Sequence, residues 1–355
     1  MATLKEVAEY AGVSPAIASR ILNRKEGAWA SEETRRRILE AASTLRYRPS
    51  ASARALSTGR THHLAVSTAS GDLQLGRPAQ LWELLGMTDA AARHGYHLIL
   101  MASRGVRPEA AEYDALIRSN ACDGFILFAE QLTVEIRDTL QTANIPFVVV
   151  GDPGDETVPQ VDIDNYQYAY DSVAWLVSQG HRRIGLAEFA DLRAGTALPH
   201  IQKIRAGYAQ ALADLGCALD PAWAPTKRSE SSAERLALVT GPNAPTAVIL
   251  PSAQDAFLWE ASLRGNGLSV PEDVALLCHI ATMEIMYIEP GIAYHTHDLR
   301  SMGDHAAQML IDWIESGKVP ERKVLIRGTE PAWKLSSPEV EAIDTNGGTH
   351  ELTQP

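Results

Sequence analysis

Cysteine is scarce in this chain of 355 residues, and the three present, Cys122, Cys217 and Cys278, are scattered and odd in number. That excludes a disulfide framework and a Cys-x-x-Cys metal site. No stretch approaches the roughly 20 apolar residues of a membrane-spanning helix. The opening residues, MATLKEVAEY, lack the basic-then-apolar pattern of a secretory leader, so the expectation is a cytoplasmic protein with no membrane partner. Signatures of catalysis are missing as well. There is no Walker A sequence and no Gly-x-Ser-x-Gly elbow, and Gly265-Asn266-Gly267 lacks the third glycine of a dinucleotide fingerprint. With no persuasive acid–base pair, neither an enzyme nor a cofactor is expected. His295 and His297, two apart on one strand face with His279 and His305 as further candidates, give the only hint of a metal centre. Without cysteine or carboxylate at ligand spacing, no metal site is expected.

What is present is ordinary globular usage, 45% apolar and 21% charged, in a chain long enough for two or three domains. The charge is uneven. Residues 1–60 hold eleven Lys/Arg and six Glu but no Asp, a net of +5, so the remainder of this −12 chain carries −17. A basic head on an acidic body suggests that the head meets a polyanion.

The head reads as three helices. Thr3-Leu4-Lys5-Glu6 is a capping box, and Leu4, Val7, Ala8 and Ala11 recur at helical spacing. Gly12 suits a tight turn, Val13 the corner, and Ser14-Pro15 a helix start. Ile17 and Ile21 are expected to face the first helix, leaving Pro15, Ala16, Ser19 and Arg20 outward. A third helix from Ser31 is expected to bury Ile38, Leu39, Ala42 and Leu45 beneath an exposed Arg35-Arg36-Arg37. Two short helices joined by a tight turn and braced by a third describe a helix-turn-helix, whose second helix enters the major groove. Trp29, in the loop from Arg24 to Ala30, either packs on the third helix or lies along the sugar-phosphate backbone.

Residues 4–14 (LKEVAEYAGVS), 19–23 (SRILN), 31–35 (SEETR) and 45–49 (LRYRP) strongly resemble, in order, the DNA-binding head of the LacI/GalR family of bacterial transcriptional regulators. Residues 50–56 (SASARAL) look like that family's hinge helix, and Leu56 matches the leucine it pushes between base steps of the minor groove. Such a wedge unstacks a step at a cost of a few kcal/mol, offset by the contacts that bent DNA allows.

The resemblance continues to about residue 330. Buried strand patterns at Leu64-Ala65-Val66 and in residues 95–100, 122–127 and 145–150 alternate with helical stretches, which argues a parallel α/β sheet. Residues 161–165, 180–185, 267–274 and 325–328, with Gly207-Tyr208, are similar to the family's second lobe. The implied fold is an all-α helix-turn-helix head plus a two-lobed α/β body of periplasmic-binding-protein type. Its expected limits are a head at 1–48 and a hinge at 49–60. The body at 61–338 has a first lobe over 61–160 plus a late crossover and a second over 161–290 plus the C-terminal part. A disordered tail is expected at 339–355, without the leucine heptads that build tetramers.

The family's effector landmarks are altered. Ile204 replaces an arginine, with Lys203 and Arg205 beside it. Ser252-Ala253 stands for Asn-Asp, Cys278-His279-Ile280-Ala281 for Gly-aromatic-Asp-Asp, and Ile292-Ala293-Tyr294 for Leu-Thr-Thr. Residues 70–77 (SGDLQLGR) replace the common Asp-x-Ser-Asn-Pro-Phe. Losing one charged partner of a sugar costs about 1.5–3 kcal/mol, so a monosaccharide read in the usual manner is disfavoured. Three readings stay open: a less polar or differently charged ligand, a sugar or sugar derivative read by other groups, or a vestigial pocket. The candidate groups are Asp72, Gln74, Arg77, Glu130, Glu188, Arg193, Ser252, Asp255 and His279.

For DNA, Pro15 and Ala16 offer only apolar contact and Arg20 is the candidate for a bidentate bond to guanine. Thr3, Leu4, Ser14, Ser19 and Asn23 would position the head, with Arg35 or Arg54 on phosphates and Leu56 in the minor groove. The expected partners are an operator duplex, a small-molecule effector and a second copy of the chain, because a two-fold dimer matches a palindromic site.

Overall fold

The computed structural model describes residues 2–22, 30–48, 55, 59–68, 78–102, 108–187, 199–225, 229, 231–281 and 291–333. The head consists of α1 (Leu4–Ala11), α2 (Pro15–Leu22) and α3 (Glu32–Thr44). The capping box forms as its residues dictate. The Thr3 hydroxyl accepts from the Glu6 amide at 3.3 Å, and Glu6 Oε2 accepts from the Thr3 amide at 2.7 Å. Gly12 ends α1 at φ 64°, in the left-handed region that glycine enters without strain. Ser31 caps α3 through the Thr34 amide at 3.2 Å.

Val7, Ala8, Ala11, Ala18, Ile21, Ile38, Ala41 and Ala42 form the head core, with Val13 and Leu45 packed against it. Two expectations are corrected. Ile17 is 40% exposed and Leu39 51% exposed. On α2 the inward stripe is Ala18, Ile21 and Leu22, and Ile17 lies 100° round the helix from Ala18. On α3 the stripe is Ile38, Ala41, Ala42 and Leu45, which leaves Leu39 outside it by the same offset.

Two sheets make the body. The first contains β1 (His63–Thr68), β2 (His97–Ala102), β3 (Gly124–Phe128), β4 (Phe147–Val150), β5 (Gln160–Ile163) and β10 (Lys323–Ile326), in the order β10-β5-β4-β3-β1-β2. All its pairings are parallel. The second contains β6 (Ile184–Leu186), β7 (Ala247–Ser252), β8 (Ala275–Ala281), β9 (Ile292–Thr296) and β11 (Ala332–Trp333), in the order β11-β9-β8-β7-β6. Here the edge strand β11 runs antiparallel to β9. Sequences such as GFILF and FVVV form fully buried strands because helices cover both faces of a parallel sheet.

In the first lobe, α4 (Pro78–Arg93) and α11 (Leu299–Ser316) cover one face, and α5 (Ala110–Arg118) and α6 (Val134–Thr142) the other. In the second, α7 (Asn165–Ser178) and α8 (Pro199–Asp214) face α9 (Ser232–Val239) and α10 (Ala253–Arg264) across the sheet. Glycine decides two helix contacts. A Cβ at Gly86 would collide with the Arg300 carbonyl, and one at Gly303 with the Glu83 carbonyl, so α4 and α11 touch backbone to backbone. Gly207 allows α8 the same approach to Tyr166 on α7.

The chain crosses between lobes three times, from β5 to α7, from β9 to α11 and from β10 to β11. The first sheet therefore takes residues 63–163 and returns for 323–326, and the second takes 184–296 and returns for 332–333. Thr61 and His62 join the hinge region to the body. Their amides donate to the Asp123 carboxylate at 2.7 and 2.9 Å.

Candidate functional sites: the helical head and the interlobe cleft

On α2 the side chains of Pro15, Ala16, Ile17 and Arg20 are exposed and Ser19 is half-buried. Ser14 caps the helix, its hydroxyl accepting from the Ile17 amide at 3.4 Å. Arg20 occupies the exposed surface one turn beyond Ala16 and Ile17. Thr3 is exposed at the start of α1, whereas Leu4 is half-buried against the head core because it stands one turn before Ala8 on the apolar face. Arg36 and Arg37 are exposed on α3, with Arg36 bonded to Glu40 at 3.3 Å, and Arg35 is half-buried. Asn23, Trp29, Arg54, Leu56 and most of the hinge helix lie outside the described residues, as does the tail.

A cavity of about 250 Å³ lies between the lobes, at the C-terminal ends of β3, β4, β5 and β7. Such strand ends are where open α/β sheets place ligands. Phe128, Val150, Ile163, Ile280, Leu299 and Met302 supply its apolar lining. Its polar lining is Gln80, Glu83, Glu130, Asp152, Asp162 and Asn165 from the first lobe and its crossover, with His200, Ser252 and Gln254 from the second. No lysine or arginine is among the described lining residues.

The carboxylates of this cleft differ in state. Burial alone would raise the Asp152 carboxyl, but the Lys203 ammonium that pairs with it and the Gly154 amide at 2.9 Å outweigh burial and hold it below its usual value. Asp162 is 3% exposed, and burial pushes it up to about 6, with the Asp152 charge adding to the rise against the Ile163 amide. Its Oδ1 accepts from Asn165 Nδ2 at 3.4 Å, while Oδ2 is buried with no hydrogen-bond partner among the described residues. Glu130 accepts from Gln80 at 3.1 Å.

The sequence candidates fare unequally. Glu130 and Ser252 line the cavity. Asp255 does not. It is spent on the start of α10, where its carboxylate accepts from the Ser252 hydroxyl at 2.7 Å and its amide donates to that hydroxyl at 3.2 Å. His279 also lies away from the cavity. Strand alternation sends Ile280 to the cavity and turns His279 the other way, fully buried near Tyr168, His295 and His297. Asp72, Gln74, Arg77, Glu188 and Arg193 lie outside the described residues. The arginine landmark is resolved differently: Ile204 is buried in the second-lobe core, Arg205 bonds the Ala224 carbonyl at 3.3 Å, and Lys203 turns to Asp152 of the first lobe. Gln80, Glu83, Asp152, Asp162, Asn165, His200 and Gln254 were not expected in the cleft. Only the strand-end positions of Asp152 and Asp162 could have signalled them.

The three histidines gather where the crossings meet. His297 lies 4.5 Å from Tyr168 between ring centroids, and the Tyr168 hydroxyl accepts from the Gly328 amide. His297 Nε2 donates to the His279 carbonyl at 2.7 Å, and His295 Nδ1 donates to the Thr329 carbonyl at 3.0 Å. Burial lowers all three, His297 to about 4 and His279 well below its usual value. His305 stands apart on α11, bonded to Ser301. Among the described residues no group of His, Cys, Asp or Glu has the arrangement of a metal site. Nor is any described helix long and apolar enough to cross a membrane.

Comparison with known proteins joins these parts. Residues 3–50 match the family of bacterial regulatory proteins called lacI, and residues 173–337 match a periplasmic binding protein-like domain. The chain belongs to the lacI family of bacterial regulatory proteins. An HTH-type transcriptional repressor, PurR of Vibrio campbellii, is 28% identical over 332 residues, spanning 91% of this chain and 95% of that one. The HTH-type transcriptional regulator AglR of Rhizobium meliloti is 29% identical over 339 residues, 90% of each. Among solved structures, the lac repressor dimer bound to operator and an anti-inducer aligns with a TM-score of 0.74 at 19% identity, over 94% of this chain and 98% of that one. The regulator CelR in complex with cellobiose aligns at 0.64 and 24%, covering 93% and 98%. This lacI-family chain is thus a DNA-binding transcriptional regulator whose body is of the effector-binding type.

Proposed function

We propose that this lacI-family protein is a repressor that acts as a homodimer on a palindromic operator in the bacterial cytoplasm, and that a small molecule in the interlobe cleft sets its affinity. The observation that carries this reading is the pairing, in one chain, of a basic helix-turn-helix head with a cleft between two lobes. Arg20 contacts guanine from the recognition helix, flanked by Pro15 and Ala16. Thr3, Ser14, Ser19, Asn23 and Arg54 bind phosphates, and Leu56 wedges the minor groove. The organisation is head 1–48, hinge 49–60, and two-lobed body 61–338.

Exposed Leu81 and Leu85, one turn apart on α4, with Phe257 and Leu258 on α10, support a face covered by the second copy. For the cleft, acceptor-rich walls over an apolar floor favour a small molecule that donates hydrogen bonds and carries no negative charge, such as a neutral sugar. Ligand binding shifts lobe closure and with it the order of the hinge, a coupling of about 1–3 kcal/mol. Genome-wide immunoprecipitation of the bound DNA in the native host tests the regulator. Sharp peaks over a short palindrome are expected, and diffuse binding contradicts a sequence-specific repressor.

A further inference from the structure

We infer that Ile17 reads a thymine methyl group beside the guanine contacted by Arg20, an inference that rests on the reading of α2 as the major-groove helix. The head has a core that buries Ala18 and Ile21 of this helix and leaves Ile17 outside it, 40% exposed. An isoleucine so placed keeps two fifths of its surface uncovered by the head's own packing. Its position is in the first turn, under the Ser14 cap, at the end of the helix that reaches base edges. Arg20 stands three residues on and Ala16 one residue back, so Ile17 and Ala16 flank the guanidinium on the exposed surface.

Chemistry narrows what this surface accepts. Pro15, Ala16 and Ile17 have no side-chain donor or acceptor. In the major groove only thymine presents a methyl group, while the other three bases present polar edges that an apolar side chain would leave unpaired. The β-branched Ile17 is held to few rotamers on a helix, so its methyl surface is pre-set for such a contact. The surplus of positive charge on residues 1–60, against the acidic remainder, favours nucleic acid as the occupant of this face over an acidic protein surface.

The experiment uses full-length protein. Duplexes are selected from a randomised pool, and the half-site guanine read by Arg20 is located with Arg20→Ala. Each half-site thymine is then replaced by uracil, which removes only the methyl group, and affinities are measured by fluorescence anisotropy for the wild type and Ile17→Ala. At a thymine adjacent to that guanine, uracil is expected to weaken wild-type binding about three- to fivefold, the scale of one buried methyl. Ile17→Ala is expected to bind the thymine and uracil duplexes alike. A half-site with no thymine next to the guanine overturns the inference, and so does a uracil effect that survives in Ile17→Ala. Failure to select any sequence overturns instead the reading of the head as a specific DNA binder. Because Ile17 is outside the core, the variant's thermal midpoint should match that of the wild type, which checks that folding is intact.

Discussion

Lys203 of the second lobe reaches across the cleft to Asp152 of the first, and the pair joins α8 to the loop after β4. Asp152 is 6% exposed, so the ammonium compensates a buried charge while itself remaining partly in water. The contact exists only when the lobes are close. It therefore favours the closed body without a ligand, and any ligand acts against or along that bias.

Lys203→Met is expected to lower stability by about 1–2 kcal/mol, less than for a fully buried pair because Lys203 is half-exposed. Adding Asp152→Asn should recover most of the loss. Urea unfolding of the two variants checks this, and a single variant as stable as the wild type counts against an uncompensated charge at Asp152.

Leu56→Ala is expected to weaken specific operator binding by about tenfold or more while leaving non-specific DNA binding nearly unchanged. On the proposed reading, a wedge acts only where the duplex is kinked. Competition binding with operator and random duplexes measures both, and equal losses on the two would remove the wedge.

Acid should destabilise the body through the buried histidines. Their folded values lie below the 6.5 of the unfolded chain, about 4 for His297, so between these values the unfolded chain binds more protons. Stability is then full above about pH 6.5 and falls as pH drops. Asp162 acts in the opposite sense: raised from 3.8 to about 6, it costs stability as pH rises through that window. Urea midpoints between pH 7 and 4.5 should fall less steeply for His297→Asn than for the wild type, and more steeply for Asp162→Asn. Parallel slopes in all three proteins would exclude these groups as the source.

Gly303→Ala is expected to cost about 1–3 kcal/mol or more, because the added methyl meets the backbone of α4 at Glu83 and both helices must separate. Gly86→Ala should do the same through Arg300. Chemical denaturation reads both, and unchanged midpoints would mean that the helices part without penalty.

The head was largely written in local sequence. The Thr3–Glu6 capping box, the Gly12 turn and the Ser14-Pro15 helix start depend on neighbours within a few residues, and each forms as its chemistry requires. The order of strands and helices in the body is equally local, since long apolar runs separated by turns leave few alternatives. The azimuth of a short helix is not. Ile17 and Leu39 are as apolar as Ile21 and Ile38, and only packing of three helices at once decides which are buried. The cleft is further still from local signals. Asp152 and Asp162 share the cavity with Glu83 of α4, and Lys203 of α8 reaches Asp152, because strand and helix ends converge where the chain crosses between lobes three times. The same crossings turn His279, His295 and His297 from scattered candidates into one buried cluster of packed rings. Short-range propensity and periodicity thus determined the elements, and the topology that brings distant strand ends together decided the site.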